Sequence, residues 1–316
     1  MTIRFGIQIE PQLGFDYITV EKIALNAEKI GYHSIWSSDH FFLDTNSEEK
    51  NCMEAWTLLA ALAAKTRTLR LGTLVTCNTY RYPAVLAKIA ATVDMISNGR
   101  LEFGIGAGWK EIEYNAYGIP FPSVKDRMDQ LEESIQIIKK LWTDSKVSYN
   151  GKHYQIKDAF SAPKPIQQLP PIFIGGTGKK RILRMVAKYA DYCNFGWFID
   201  PETIPDLLDA LKHHCEKVNR DFDSVGKSFF ASVILAETED ELETILTERA
   251  KARRLTLKEY QKSIGSLNVF FGTPEIVQNG FENLVALGFD YFQIMFPYPN
   301  DLAQSERFAK LILPKF

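Results

Sequence analysis

The chain is poor in the residues that mark secreted, metal-holding, membrane-spanning or nucleic-acid-binding proteins. Cysteine is scarce: Cys52, Cys77, Cys193 and Cys215 are scattered through 316 residues with no CxxC spacing. That excludes a disulfide framework and reads as reduced, mostly buried thiols. The five histidines (His33, His40, His153, His213, His214) form no H-x-H or H-x-x-x-H pair, so no metal site is expected. No apolar run reaches the ~18 residues that span a bilayer, so no membrane partner is expected. Net charge is −2, with 37 basic and 39 acidic residues mixed along the chain. No block of like charge offers a nucleic-acid footprint. The start, MTIRFGIQIE, is a strand pattern without a signal-peptide layout, which predicts a cytoplasmic location. The first turn, Glu10-Pro11-Gln12-Leu13-Gly14, lacks G-x-G-x-x-G. This argues against an open doubly wound dinucleotide-binding sheet.

What is present is a repeated strand–helix rhythm over a chain that is 46% hydrophobic. Residues 3–9 alternate Ile3, Phe5, Ile7, Ile9 and read as the first strand, followed by a helix over 16–30 that stops at Gly31. Further strands are expected at 33–38, 69–76, 101–106, 172–174, 191–196, 227–235 and 291–296. Helices are expected at 53–65, from Pro83 to Asn98, at 125–142, after Asp200-Pro201, from Glu239, and from Thr273-Pro274 to Gly288. Residues 302–313 would close the ring, and a charged, loop-like stretch is expected before 271. Between 144 and 170 the period breaks into a short β pair around Asn150-Gly151 and a proline-rich run. This order predicts an α/β fold, a (β/α)8 TIM barrel forming a single domain over 1–316, with 144–170 as an insertion between strands four and five.

In such a barrel the chemistry lies at the C-terminal ends of the strands. Polar side chains gather at the ends of strands one to three (Gln8, Glu10; Ser38, Asp39, His40; Thr76, Cys77, Asn78). Glycines gather at strands four to six (Gly104, Gly106, Gly108; Gly175, Gly176; Gly196). That division suits a flat ligand held by backbone on one side and facing reactive side chains on the other. Asp39-His40 is the acid–base candidate, because imidazole titrates near neutrality; the alternative is a turn-capping Asp beside a packing His. Gly175-Gly176-Thr177-Gly178, followed by Lys179, Lys180 and Arg181, offers free N–H groups at a helix start to a phosphate. The alternative there is a tight turn with a solvated basic face. The G-x-G-x-G at 104–108 is no dinucleotide fingerprint, since Trp109 stands where its third glycine would be.

Ser37-Ser38-Asp39-His40-Phe41, Leu71-Gly72-Thr73-Leu74-Val75-Thr76, and GRLEFGIGAGWKEIE (99–113) running on into EYNAYGIPF (113–121) together resemble the bacterial luciferase-like superfamily. With RMDQLEESIQIIKKLW (127–142), IGGTGKKRILRMVAKYAD (174–191) and GTPEIVQNGFENLVALGFDYFQIMF (272–296), the chain looks like the branch that uses coenzyme F420. The resemblance implies an oxidoreductase that moves a hydride between the deazaflavin and a small organic substrate, in a homodimer. It implies a non-proline cis peptide at Leu74–Val75, forming a bulge under the ring with Thr76. It matches the phosphate end of the cofactor to Gly175, Gly176, Thr177 and Gly178, the loop against the ring to Gly106, Ala107 and Gly108, a cofactor-contacting Asp to Asp39, and the catalytic His to His40. Asp39 would fix either the cofactor's polar edge or the imidazole. Trp109, Glu111 and Trp197 are expected to line the substrate pocket. Some members place a glutamate directly after the loop; Trp109 replaces it here, which argues against a sugar phosphate. The alternatives are a monooxygenase using reduced FMN and, in a different class, a non-catalytic flavin-binding protein.

Overall fold

The computed structural model describes residues 2–196, 199–265, 269–299 and 301–316. Eight parallel strands close into a ring: β1 (Arg4–Ile9), β2 (Ser34–Ser37), β3 (Arg70–Thr73), β4 (Leu101–Gly106), β5 (Ile172–Gly175), β6 (Tyr192–Gly196), β7 (Gly226–Leu235) and β8 (Tyr291–Met295). Closure is explicit in the register: Ser228 of β7 pairs with both Asn194 of β6 and Tyr291 of β8, and Phe5 of β1 pairs with Phe292 of β8.

The period-two pattern of each strand sorts its side chains between two interiors. On β1, Phe5, Ile7 and Ile9 join the layer under the helices, where the Phe5 ring meets those of Phe281, Phe292 and Phe308. Arg4, Gly6 and Gln8 alternate with them and face into the barrel. The lower end of that interior is plugged by charge and aromatics. The Arg4 guanidinium donates to Tyr192 Oη and Asp290 Oδ2, both at 2.6 Å. Arg70 Nε donates to Glu102 Oε1 at 2.8 Å, and Tyr291 Oη donates to Glu102 Oε2 at 2.5 Å. Trp36, Phe173 and Tyr291 pack above them.

The helices begin and end where their caps dictate. In α1 (Tyr17–Ile30) the Asp16 carboxylate accepts from Thr19 N–H at 2.7 Å, and Gly31 ends it with φ 95°. The next helices are α2 (Ala55–Lys65) and α3 (Pro83–Ser97), the latter ended by Asn98 with φ 57°. A short turn of helix, Glu111–Ala116, precedes α4 (Val124–Thr143), and α5 (Ile182–Tyr189) follows β5. Residues 147–150 and 155–159 form the antiparallel pair expected around Asn150-Gly151.

Two expectations are corrected. The stretch before 271 is not a loop: it contains a helix, Leu257–Gly265, and a strand, Val269–Gly272, that pairs with the upper half of β7. Its charges mask an apolar stripe in which Tyr260 and Ile264 pack on Ile234, Leu242 and Leu246. The third strand is also not continuous over 69–76. It stops at Thr73, and residues 76–77 rejoin the sheet by pairing with Ile105 and Gly106.

Candidate active site at the barrel mouth

The interruption of the third strand shapes one wall of the mouth. The Leu74–Val75 peptide bond is cis, at the position the family resemblance implied. The Val75 side chain lies across the inward faces of β4 and β5. A Cβ on Gly106 would come 2.7 Å from Val75 Cγ2, and one on Gly175 would come 3.1 Å from Val75 Cγ1. A Cβ on Gly104 would lie 1.9 Å from Thr73 O. The glycines therefore make room first for the bulge itself, which becomes a raised floor at the mouth. Gly108 (φ 77°) closes on Tyr114 Oη and Cys77 Sγ, and Ala107 beside it is buried. The side chain of Thr76 turns outward, where its hydroxyl accepts from Trp56 Nε1 at 2.8 Å.

His40 sits at the end of β2 with 19% of its side chain exposed, and its Nδ1 lies 2.9 Å from Glu113 Oε2. Glu113 is fully buried on the short helix after β4. It also accepts from Phe41 N–H (2.7 Å), Phe42 N–H (3.2 Å) and Tyr80 Oη (2.6 Å), with Lys110 Nζ at 3.4 Å. Burial opposes its ionisation. The hydrogen bond and charge of His40, then Tyr80 and the Phe41 N–H, outweigh burial and bring the carboxyl down from 4.5 to about 2. An ionised carboxylate only accepts, so His40 carries its proton on Nδ1 toward Glu113. The other ring nitrogen makes no hydrogen bond among the described residues. A second acid, Glu10, lies behind the pair, held by Gln8 Nε2 (2.7 Å) and by Gln12 Nε2. Burial pushes its pKa up, against the lowering influence of His40 and those amides.

Asp39, adjacent in sequence, does other work. Its carboxylate takes both arms of Arg81 (2.7 and 2.9 Å) and Cys77 N–H (3.0 Å), which ties β2 to the end of the bulge. Burial acts to lower the Arg81 pKa, but the charges of Asp39 and Glu54 raise it on balance. The partner of the imidazole is thus Glu113 and not Asp39. Sequence reading passed over this glutamate because it looks like one more charge on a polar helix. The signal that could have found it is its place four residues beyond Trp109, on the helical turn facing the end of β2.

Of the pocket residues expected from sequence, Trp109 is 69% exposed and stands edge-on to His40, with ring centroids 5.8 Å apart. Glu111 is exposed on the first turn of the short helix, and Trp197 lies outside the described residues. The glycine run 175–178 leads into α5, whose N-terminus no side chain caps. Its basic residues are partly engaged: Lys179 Nζ pairs with Asp206 at 3.2 Å and Arg181 with Asp129. Asp126, Asp129 and His153 have metal-like spacing among the described residues, but Lys125, Lys152 and Arg181 already pair with the two aspartates.

A closed parallel barrel with a histidine–carboxylate pair and a bulged floor at its C-terminal mouth has the layout of a barrel enzyme. The sequence profile of the luciferase-like monooxygenases matches residues 3–290, and the chain belongs to that family. It is 34% identical over 211 residues to an F420-dependent glucose-6-phosphate dehydrogenase of Amycolatopsis mediterranei, covering 65% of this chain and 61% of that protein. It is 30% identical over 204 residues to an F420-dependent hydroxymycolic acid dehydrogenase of Mycobacterium tuberculosis, covering 64% of this chain and 54% of that one. A solved F420-dependent secondary alcohol dehydrogenase superposes with TM-score 0.83 at 21% identity, over 99% of this chain and 98% of that one. A solved long-chain alkane monooxygenase superposes with TM-score 0.82 at 17% identity, over 100% and 91%.

Proposed function

We propose that this protein is an F420-dependent oxidoreductase acting on a small organic substrate, with His40 as the residue that moves the substrate proton. The observation that carries this reading is the His40–Glu113 pair: a buried carboxylate fixes Nδ1–H and leaves Nε2 free to give or take a proton at the mouth. The relatives named as F420-dependent at 30–34% identity support the choice of cofactor.

The residues present fit that cofactor. Val75 and the glycines around it offer a flat floor, and Gly175 to Gly178 with the uncapped start of α5 offer N–H groups to a phosphate. Inside the barrel, Gln8 Oε1, Ser232 Oγ and Gln293 Nε2 are buried without partners among the described residues, and such atoms suit the heteroatom edge of a deazaflavin. Bound F420 would supply the hydride donor or acceptor. The protein's part is to orient the substrate over that floor, shed water and handle the proton through His40. Asp39 and Arg81 would hold the bulge in place beneath.

The family description and the monooxygenase neighbour favour one second reading, an FMN-dependent monooxygenase on the same barrel. A side-by-side titration with F420 and FMN, followed by absorbance and fluorescence, separates the two. Saturable F420 binding with little FMN binding is expected. Preference for FMN, with oxygen-dependent turnover, would overturn the F420 reading. Tight binding with no turnover on any substrate would leave a binding protein. The exposed Val85, Met95 and Ile96 on α3 support a homodimer, which light scattering tests.

A further inference from the structure

Two features of the mouth bear on what the substrate looks like. The first is the rim beside His40. Trp109 is 69% exposed, and Ile112 (40%) and Tyr117 (57%) follow it on the same loop and short helix. Scattered exposed apolar side chains are ordinary, but an indole left open at the edge of the residue that handles the proton is a contact surface waiting for an apolar partner.

The second feature is the charge around that rim. The described segments beyond β1 (10–16), β6 (199–203) and β8 (296–299) contain no lysine or arginine; the basic residues of the mouth lie beyond β2 (Lys50), the bulge (Arg81), β4 (Lys110) and β5 (Lys179, Lys180, Arg181). The two basic groups bonded into the network around Asp39-His40 are committed elsewhere. Lys110 Nζ donates to Phe42 O and lies 3.4 Å from Glu113, and Arg81 is shared between Asp39 and Glu54. Two carboxyl groups, Glu113 and Glu10, lie around the imidazole. An anion brought to His40 therefore meets at least one fixed negative charge, Glu113, while the two cations bonded into that network are already engaged. A neutral hydroxyl or carbonyl finds a histidine nitrogen.

We propose that the substrate is an uncharged molecule with an apolar body, presenting one hydroxyl or carbonyl oxygen to His40 and resting that body on Trp109. Phosphorylated and carboxylated compounds are disfavoured. Trp109 is then a specificity-determining residue. The inference rests on the F420 reading and adds the substrate class to it.

The test uses the F420-loaded protein and matched probes: cyclohexanol against 4-hydroxycyclohexanecarboxylate, and glucose against glucose 6-phosphate. Binding is measured by calorimetry, which does not depend on turnover, and kcat/KM is measured wherever turnover occurs. An unpaired charge in a partly desolvated site should weaken binding about tenfold or more, so each neutral probe should bind at least that much better than its anionic twin. Trp109→Ala should raise KM for cyclohexanol about tenfold with kcat little changed, and Trp109→Phe should restore most of it. Equal or tighter binding of the anionic probes, or no binding of cyclohexanol, overturns the substrate class. Failure to bind F420 at all overturns the underlying reading instead, so the two failures are told apart.

Discussion

Replacing Glu113 by glutamine is the most searching perturbation of the site, because it changes a proton's position while barely changing shape. In the native protein Oε1 takes the Phe41 and Phe42 N–H groups, and Oε2 takes His40 Nδ1 and Tyr80 Oη. A glutamine keeps one acceptor, which the two backbone N–H groups will claim. Its NH2 group then faces His40, whose Nδ1 must become an acceptor, and the ring proton moves to Nε2. Reversing the tautomer of a catalytic histidine in this way costs roughly 10⁴-fold in a serine-protease triad. A loss of about 10²–10⁴-fold in kcat is expected for Glu113→Gln, with F420 affinity little changed. Nitrogen NMR of His40 should report the exchanged tautomer. Stability should fall by about 1–3 kcal/mol, the cost of a buried polar site left partly unsatisfied.

The pH dependence supplies a second, independent signature of the same residue. The Glu113 carboxyl is depressed in the folded state, from 4.5 to about 2. Its stabilising contribution is therefore complete above pH 4.5 and is lost as pH falls toward 2, where the folded carboxylate takes up its proton. With allowance for screening, that is roughly 2 kcal/mol, and the glutamine variant should lack this part of the acid limb. Urea unfolding from pH 6 to pH 2.5 measures it. Unchanged turnover in Glu113→Gln, or an identical acid limb, would refute the role assigned to Glu113.

Three further outcomes follow from the geometry. Gly104→Ala places a methyl 1.9 Å from Thr73 O, so the bulge must move; a loss of about 3 kcal/mol or more, seen as a lowered Tm, is expected, and a variant as stable as the parent would show that the bulge is not packed as described. Asp39→Asn leaves the buried Arg81 short of a charge and should cost about 3 kcal/mol with weakened F420 binding, whereas a stable variant with full affinity would remove Asp39 as the tie between β2 and the bulge. His33, at the lower end of the barrel, is lowered from 6.5 to about 4 by burial and then by the charges of Arg4 and Arg70. Its folded form resists protonation, so stability should decline as pH falls from 6.5 to 4, by about 1–2 kcal/mol after screening. His33→Gln should flatten that limb, and an unaltered pH profile would count against a neutral His33.

The barrel was legible in the sequence because its signals are local. Alternating apolar residues, Asp200 at a helix start, Gly31 and Asn98 at helix ends, and proline at first turns each act within a few residues. The bulge at Leu74–Val75 was legible only through resemblance, since nothing in LGTLVT by itself separates it from an ordinary strand. Two things were hidden. The helix Leu257–Gly265 buries only Tyr260 and Ile264 among many charges, so its stripe is too thin to read without its partner. The pairing of His40 with Glu113 joins residues 73 apart in sequence, and such a contact is fixed by ring closure, not by spacing. Asp39 drew the eye because it adjoins His40, but neighbours on an extended chain point to opposite sides.

That opposition explains how one dipeptide serves two tasks. Asp39 points back into the wall and grips Arg81 and the end of the bulge, while His40 points across the mouth to Glu113. The lower end of the barrel shows what a purely structural network looks like: Arg4, Arg70, Glu102, Asp290, Tyr192 and Tyr291 bond to one another, and the adjacent His33 is kept neutral. The network at the mouth is built of the same kinds of groups and is equally buried on its carboxylate side. It differs in where its open atom lies: below, the unpaired Arg4 Nε is buried in the plug, whereas above, the open atom faces the mouth. Glu113 gathers its donors to hold a ring whose second nitrogen is left without a partner among the described residues, next to an indole exposed at the rim. A network that existed only to stabilise the mouth would gain by closing on that nitrogen as well. That it stays open, above a floor raised by Val75, is the strongest structural argument that this end of the barrel is arranged around a ligand.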